Sequence, residues 1–222
     1  MPATTRRTTK LKHANVGELL ESLGVPASRV RLHPPPGRAT KRDLLKLDVA
    51  GERLYELVER TLVEKAMGFK EGHLALELAF HFRLYLSRND AGFLGGPDSF
   101  IELIPNLIRS PDISFISWDR CPERTVPERP FSPLIPNLAV EILSTSNTKA
   151  EMLRKRGEYF RAGVEAVWEI QPADRTAVAY AGPTDGVVLK STGQLDGGSI
   201  LPGFSLPLAT LFASLKPLPR GK

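Results

Sequence analysis

The sequence predicts a mixed α+β fold, α/β in the broad sense, in which a mixed central sheet is flanked by helices. Short apolar runs that are rich in β-branched residues, such as residues 138–143, are typical of buried strands. Residues 70–86 repeat their leucines at helical spacing, and a second helix is marked by its cap at Thr148 and its stop at Gly163. Because the predicted order is helix, several strands, helix and strand, these elements are expected to form a mixed sheet flanked by helices.

The first 50 residues are predicted to form a basic N-terminal extension with short helices. Residues 1–12 are expected to be a disordered basic tail. A first short helix begins near Val16 and ends at Gly24, and a second follows Thr40, where Asp43 completes a capping box. The three prolines in residues 33–37 cannot continue a helix and predict a stiff linker between the two.

Residues 51–215 are predicted to form the main domain, and its elements can be assigned in order. The pattern predicts a hairpin with its turn at Glu59 and Arg60, the long helix, a turn at residues 92–96 and a strand at residues 99–103. The prolines of residues 122–136 indicate a long loop without regular structure between two buried strands. The capped helix is followed by a strand at residues 166–170, a closing hairpin over residues 176–189 and a short helix near Phe212.

Composition limits the classes of protein to which the chain can belong. The chain has 222 residues, carries a net charge of +5 and contains one cysteine, so no disulfide can form within it. No apolar stretch approaches the roughly 20 residues that a membrane-spanning helix needs, and a cytoplasmic location is predicted. The excess of basic residues favours a polyanionic partner such as nucleic acid.

Two acidic residues stand where a carboxylate is costly. Asp112 opens the apolar run 112–116, and Glu141 lies inside the apolar run 138–143. A carboxylate in a buried strand is strongly disfavoured unless its charge is compensated. A divalent cation held by oxygen ligands is one such compensation when two acids converge. The two acids can meet only if their strands are neighbours, which is common for strands that follow one another in sequence.

A basic helix follows the second acid. Lys155 shares a helical face with Met152 and Tyr159, so its ammonium is expected to reach toward the sheet. Each candidate residue has a structural alternative. Asp112 could be an ordinary residue at the start of a strand, Glu141 could form a buried ion pair with an arginine, and Lys155 could belong to a solvated basic face.

Together these segments resemble the Uma-type family of putative restriction endonucleases, a bacterial branch of the PD-(D/E)XK nuclease superfamily. The resemblance rests on Ser110-Pro111-Asp112, on Val140-Glu141-Ile142-Leu143-Ser144, and on the segments 155–164 and 167–170. It covers roughly residues 53–212. It implies a restriction-endonuclease-like fold, with Asp112 as the PD aspartate and Glu141 as the acid of the second motif.

This chain departs from the general superfamily pattern at two positions. The lysine expected two residues after the second acid is Leu143, and the resemblance implies that Lys155 takes its place from the following helix. The aspartate that this branch often carries after the tryptophan strand is Gln171.

The candidate residues and the family resemblance together predict a metal-dependent endonuclease that hydrolyses phosphodiester bonds of DNA. Asp112 and Glu141 would hold Mg²⁺, with Mn²⁺ as a substitute, and Lys155 would orient water or offset phosphate charge. A homodimer would suit the cutting of both strands. Two alternatives stay open: a catalytically inactive nucleic-acid-binding protein on the same fold, and an interaction protein whose buried acids are ion-paired.

Overall fold

The computed structural model describes residues 13–51 and 53–215. The predicted basic tail, residues 1–12, lies outside the described residues. The helices are α1 (Val16–Leu23), α2 (Lys41–Val49), α3 (Phe69–Leu86), α4 (Lys149–Ala162) and α5 (Leu208–Ala213). The strands are β1 (Tyr55–Val58), β2 (Thr61–Glu64), β3 (Gly92–Gly95), β4 (Phe100–Ile104), β5 (Leu107–Arg109), β6 (Ile113–Ser117), β7 (Phe131–Ser132), β8 (Leu138–Ile142), β9 (Ala166–Gln171), β10 (Thr176–Tyr180), β11 (Gly186–Leu189), β12 (Gln194–Asp196) and β13 (Ser205–Pro207). The predicted mixed α+β class is confirmed.

A six-stranded sheet forms the centre of the molecule, with the strand order β11-β10-β9-β8-β6-β3. Strand β8 pairs antiparallel with β6 and parallel with β9, and α4 makes the crossover between the two parallel strands. Successive residues of β8 point to opposite faces. Val140 packs into the core cluster with Leu78 and Phe82 of α3, whereas Ala139 packs with Tyr159 of α4. The central strands are therefore buried on both faces.

A second sheet of five strands, in the order β2-β1-β5-β4-β7, lies against the other side of α4. The predicted hairpin β1–β2 turns at Glu59 and Arg60, both with positive φ (48° and 58°), as a tight two-residue hairpin turn requires. Helices α1 and α2 pack against this sheet. Leu19 shares a core cluster with Val58, and Leu44 shares another with Leu57. The division of the chain at residue 50 stays a prediction.

Four segments differ from the sequence-based expectation. The turn predicted at residues 92–96 is strand β3, which pairs with β6; a Cβ at Gly92 would lie 2.1 Å from the Ile116 carbonyl oxygen, so the glycine permits this close approach. The proline-rich loop contains the two-residue strand β7, parallel to β4. The strands β5 and β12, three residues each, are too short to show a pattern in the sequence. No helix within the described part of the chain is long and apolar enough to cross a membrane.

Candidate active site

The structure brings Asp112 and Glu141 together across two neighbouring strands. The register that pairs Ile113 with Val140 places Asp112, just before β6, opposite Glu141 of β8. The Asp112 backbone N–H donates to the Val140 carbonyl oxygen (3.0 Å), and the Ile142 N–H donates to Asp112 Oδ2 (2.6 Å). Both acidic residues are buried, at 3% and 4% exposure. The two predicted candidates therefore share one buried site.

Lys155 reaches the same site from α4. Its ammonium donates to both carboxylate oxygens of Glu141, at 3.2 Å each, and the Tyr159 hydroxyl donates to Glu141 Oε1 at 2.6 Å. Lys155 is 1% exposed. It therefore points inward and is not part of a solvated basic face. The partner of Glu141 is a lysine, not the arginine considered in the structural alternative.

Two further charged residues of the site were not assigned from the sequence. Glu56 of β1 is fully buried, and its Oε1 lies 3.4 Å from the Lys155 ammonium. Lys65 is the residue that follows β2. Its ammonium lies 2.8 Å from Asp112 Oδ1 and donates to the Ser110 carbonyl oxygen. An acid inside the apolar strand Tyr55–Val58 is the same signal that identified Glu141. Lys65, by contrast, gives no local signal.

Arg109 ties the five-stranded sheet to α4 behind the site. Its guanidinium donates to Glu56 Oε2 at 2.7 Å and, through Nε, to Glu158 Oε2 at 2.8 Å. The arginine is 3% exposed, and both glutamates are buried. Because this arginine compensates two carboxylates, β1, β5 and α4 are held together by one buried cation.

The first turn of α4 is held by the N-terminal segment. The predicted cap at Thr148 is present, since its hydroxyl accepts from the Glu151 N–H at 3.0 Å. Glu151 stands three residues after Thr148, at the position that would complete a capping box, but its carboxylate does not do so. Instead it accepts two hydrogen bonds from the buried guanidinium of Arg29, at 2.8 Å each, and one from Asn147 at 3.2 Å. An arginine offers Glu151 a charge-assisted bidentate partner, which is stronger than a backbone N–H.

Burial and neighbouring charges shift the pKa values of three titratable residues of the site. Burial raises the pKa of Glu141, the negative charge of Asp112 raises it further, and the Lys155 ammonium opposes both. Burial alone would lower the pKa of Lys155, but the carboxylates of Glu141 and Glu56 raise it above its ordinary value. Burial and the same two carboxylates raise the pKa of the Tyr159 hydroxyl. Lys155 is therefore a fixed positive charge, and Tyr159 stays a hydrogen-bond donor.

Glu56 is expected to give the protein a measurable sensitivity to acid. Burial alone would raise the pKa of Glu56, but the charges of Lys155, Arg109 and Lys65 lower it from 4.5 to about 2. A depressed pKa means that the unfolded chain binds the proton more tightly, so this stabilisation is present above pH 4.5 and lost as pH falls toward 2. It amounts to something on the order of 3 kcal/mol. Glu141 changes the free energy of unfolding with pH in the opposite direction, because its pKa is raised.

The contribution of Glu56 can be isolated by comparing urea denaturation of the wild type and Glu56→Gln between pH 2 and 5. The wild type is expected to lose more stability than the variant as the pH falls. The exposed Glu128→Gln serves as a control for the loss of one carboxylate. Parallel wild-type and Glu56→Gln curves would show that Glu56 does not carry the effect.

The donor set fits a divalent cation of the magnesium class. Asp112 Oδ1 is buried and receives no hydrogen bond from the described residues; the nearby Lys65 ammonium makes an ionic contact without hydrogen-bond geometry. No cluster of three or more histidine, cysteine, aspartate or glutamate side chains within the described residues is arranged to hold a metal. Mg²⁺ is commonly held by one or two carboxylates together with water and substrate phosphate, so two carboxylates placed like those of Asp112 and Glu141 would be enough to hold it.

A surface cavity of about 270 Å³ has Asp112 in its lining. It runs between α3 and the end of β3, and its lining includes Gly72, Ala75, Leu94 and Pro97. A Cβ at Gly72 would meet no atom within 4 Å. The absence of a side chain at this helix position therefore leaves this cavity wider.

Comparison with known proteins gives the family and the fold of the chain. Residues 42–209 match the Uma2 family, described as "Putative restriction endonuclease". The crystal structure of a putative nuclease belonging to DUF820 from Anabaena variabilis ATCC 29413 is similar, with a TM-score of 0.65 and 18% sequence identity over 73% of this chain and 92% of that chain. At this identity the likeness shows the fold. A search of curated proteins found no match.

The family match covers most of the chain and includes both acids, the basic helix and the hairpin that carries Glu56 and Lys65. The chain belongs to the Uma2 family of putative restriction endonucleases and has a nuclease fold.

Proposed function

We propose that the protein is a metal-dependent endonuclease that hydrolyses phosphodiester bonds of DNA. One observation carries the proposal: two buried carboxylates, Asp112 and Glu141, face each other on adjacent strands with the buried ammonium of Lys155 beside them. Family membership and the nuclease fold support the same reaction class. The net charge of +5 suits a polyanionic substrate.

Asp112 and Glu141 are the proposed ligands of Mg²⁺, for which Mn²⁺ could substitute. When bound, such a cation polarises the scissile phosphate and lowers the pKa of a bound water. The protein supplies fixed groups around that position. The Tyr159 hydroxyl orients Glu141, and the Ile142 N–H orients Asp112. These contacts preorganise the carboxylates, so little rearrangement is needed at the moment of reaction.

Lys155 is the proposed catalytic cation. Its ammonium is held between Glu141 and Glu56, so its position is fixed from two sides. A positive charge at that place would stabilise negative charge that develops on the phosphate oxygens, or would orient the attacking water. The superfamily pattern has a lysine two residues after the second acid, where this chain has the uncharged Leu143. In this proposal Lys155 of α4 supplies the positive charge that is missing at that position.

One observation favours a second candidate, a nucleic-acid-binding protein that keeps the fold without catalysis. Each proposed metal ligand already has an internal cation, Lys65 for Asp112 and Lys155 for Glu141. In a protein that never binds metal, these two lysines would be needed to balance the charges of the two buried carboxylates. Such a protein would bind DNA with a strong dependence on salt and without a requirement for a divalent cation. The cytoplasmic location and a homodimer remain parts of the proposal.

The test is a cleavage assay with supercoiled and linear DNA in Mg²⁺, Mn²⁺ or EDTA. The wild type is expected to nick or cut in either metal, and cleavage is expected to stop in EDTA and in Glu141→Ala. Metal-independent DNA binding without cleavage would support the second candidate. Cleavage that persists in Glu141→Ala would exclude the proposed site.

A further inference from the structure

We propose that Lys65 is the internal counter-ion of Asp112, and that a divalent cation must displace its ammonium in order to bind. This inference rests on the proposed function, because it concerns the same metal ligand. It assigns to Lys65 a role distinct from that of Lys155: it occupies the metal position in the metal-free protein and sets how tightly the metal binds.

The backbone and the environment of Lys65 hold its ammonium in place. The Lys65 N–H donates to the Leu54 carbonyl oxygen at 2.8 Å, which continues the hairpin beyond β2. The side chain is 2% exposed, and its ammonium donates to the Ser110 carbonyl oxygen. That carbonyl lies two residues before Asp112. Lys65 is therefore anchored to the same segment that carries the acid.

The two oxygens of Asp112 have different surroundings. Oδ2 accepts the Ile142 N–H at 2.6 Å, so its position is fixed by the neighbouring strand. Oδ1 receives no hydrogen bond from the described residues and has the Lys65 ammonium 2.8 Å away. Oδ1 is thus the oxygen with free capacity for a cation. A metal ion there would meet a positive charge at short range in a buried site, where repulsion between like charges is strong.

Lys155 is placed differently, and the contrast supports the assignment. If a metal ion binds Glu141, Lys155 still has a second carboxylate, that of Glu56, at 3.4 Å. Among the described residues Lys65 has an ion pair with Asp112 alone. Lys65 must therefore lose its ionic partner, at least in part, when a cation occupies Oδ1. The energy of that exchange weakens metal binding in the wild type.

The experiment measures metal binding without reference to cleavage. Full-length wild type, Lys65→Met, Lys65→Arg and Lys41→Met are freed of metal and titrated with Mn²⁺, with calorimetry for affinity and thermal unfolding for stability. Lys41→Met is the control, because Lys41 pairs with Glu102 and is partly exposed. We expect metal-free Lys65→Met to melt below the wild type, and its Kd for Mn²⁺ to fall by about tenfold or more, equivalent to ~1.4 kcal/mol. Lys41→Met should keep the wild-type affinity, and Lys65→Arg, which retains a positive charge, should not bind Mn²⁺ more tightly than the wild type does.

If metal-free Lys65→Met is unfolded, Mn²⁺ is expected to fold it, because the metal then supplies the missing positive charge. An unchanged or weaker Mn²⁺ affinity in Lys65→Met would overturn the inference while leaving the metal site intact. So would a Lys65→Met protein that stays unfolded at saturating Mn²⁺ while the wild type binds the ion. Absence of Mn²⁺ binding in every variant, including the wild type, would reject the proposed function and the inference with it.

Discussion

Glu141→Gln is expected to lower the rate of metal-dependent DNA cleavage by a factor on the order of 10²–10³ while the protein stays folded. The amide keeps the shape of the side chain and can still accept the Tyr159 hydroxyl, but it loses the charge that would hold the metal. Lys155 retains Glu56 as its ionic partner, so the substitution does not leave a buried cation uncompensated. The measurement is single-turnover cleavage of labelled DNA at saturating Mg²⁺.

Glu169→Gln is the matched control for this substitution. Glu169 lies directly opposite Glu141 in the parallel pair of β8 and β9, and it is buried to a similar degree. Its carboxylate accepts from Arg156 at 2.6 Å, so its charge is satisfied away from the proposed metal position. Its variant should cleave DNA within a few-fold of the wild type. Equal losses in the two variants would mean that Glu141 contributes through general packing and charge, not through metal.

Arg109→Met is expected to destabilise the protein by about 3–5 kcal/mol, because it removes the cation that two buried carboxylates share. Burial alone would lower the pKa of Arg109, but Glu158 and Glu56 raise it above its ordinary value, so the arginine is charged at every accessible pH. Without it, Glu56 keeps the Ser110 N–H at 3.1 Å and the Lys155 ammonium at 3.4 Å, and Glu158 keeps Arg154. Urea denaturation at pH 7 gives the loss directly.

Two further variants test whether the expected loss of stability is specific to Arg109 and its buried partners. Arg124→Met removes an exposed cation that pairs with the exposed Asp90, and a change within about 0.5 kcal/mol is expected. Combining Arg109→Met with Glu56→Gln removes one of the carboxylates left unpaired, so the double variant should be more stable than the sum of the two single changes implies. Additive losses would show that Arg109 and Glu56 do not stabilise each other.

The convergence of Asp112, Glu141 and Lys155 could be predicted from the sequence because each leaves a local signal. An acid within an apolar strand implies a compensating partner, and the helical spacing of Lys155 with Met152 and Tyr159 sets the direction of its side chain. The structure places all three where these signals indicate. Their roles in metal binding and catalysis are proposed from this arrangement.

The rest of the site depends on contacts between segments far apart in the chain. Lys65 meets Asp112 only because the β1–β2 hairpin packs beside the central sheet. Arg29 meets Glu151 across 122 positions of sequence. In both cases the flanking residues give no periodicity that marks the side chain as buried. A charged residue next to a strand or in a short turn is ordinarily solvated, so only the tertiary structure reveals these pairs.

The most direct measurement is the anomalous diffraction map of a crystal of the wild-type protein grown with Mn²⁺. We expect a peak within coordination distance of Asp112 Oδ1 and Glu141, at about 2.0–2.6 Å for hard cations with oxygen ligands. We also expect the Lys65 ammonium to have moved away from Asp112. A Mn²⁺ peak bound elsewhere, in a protein that cleaves DNA with Mn²⁺, would contradict the assignment of these two acids as the metal ligands.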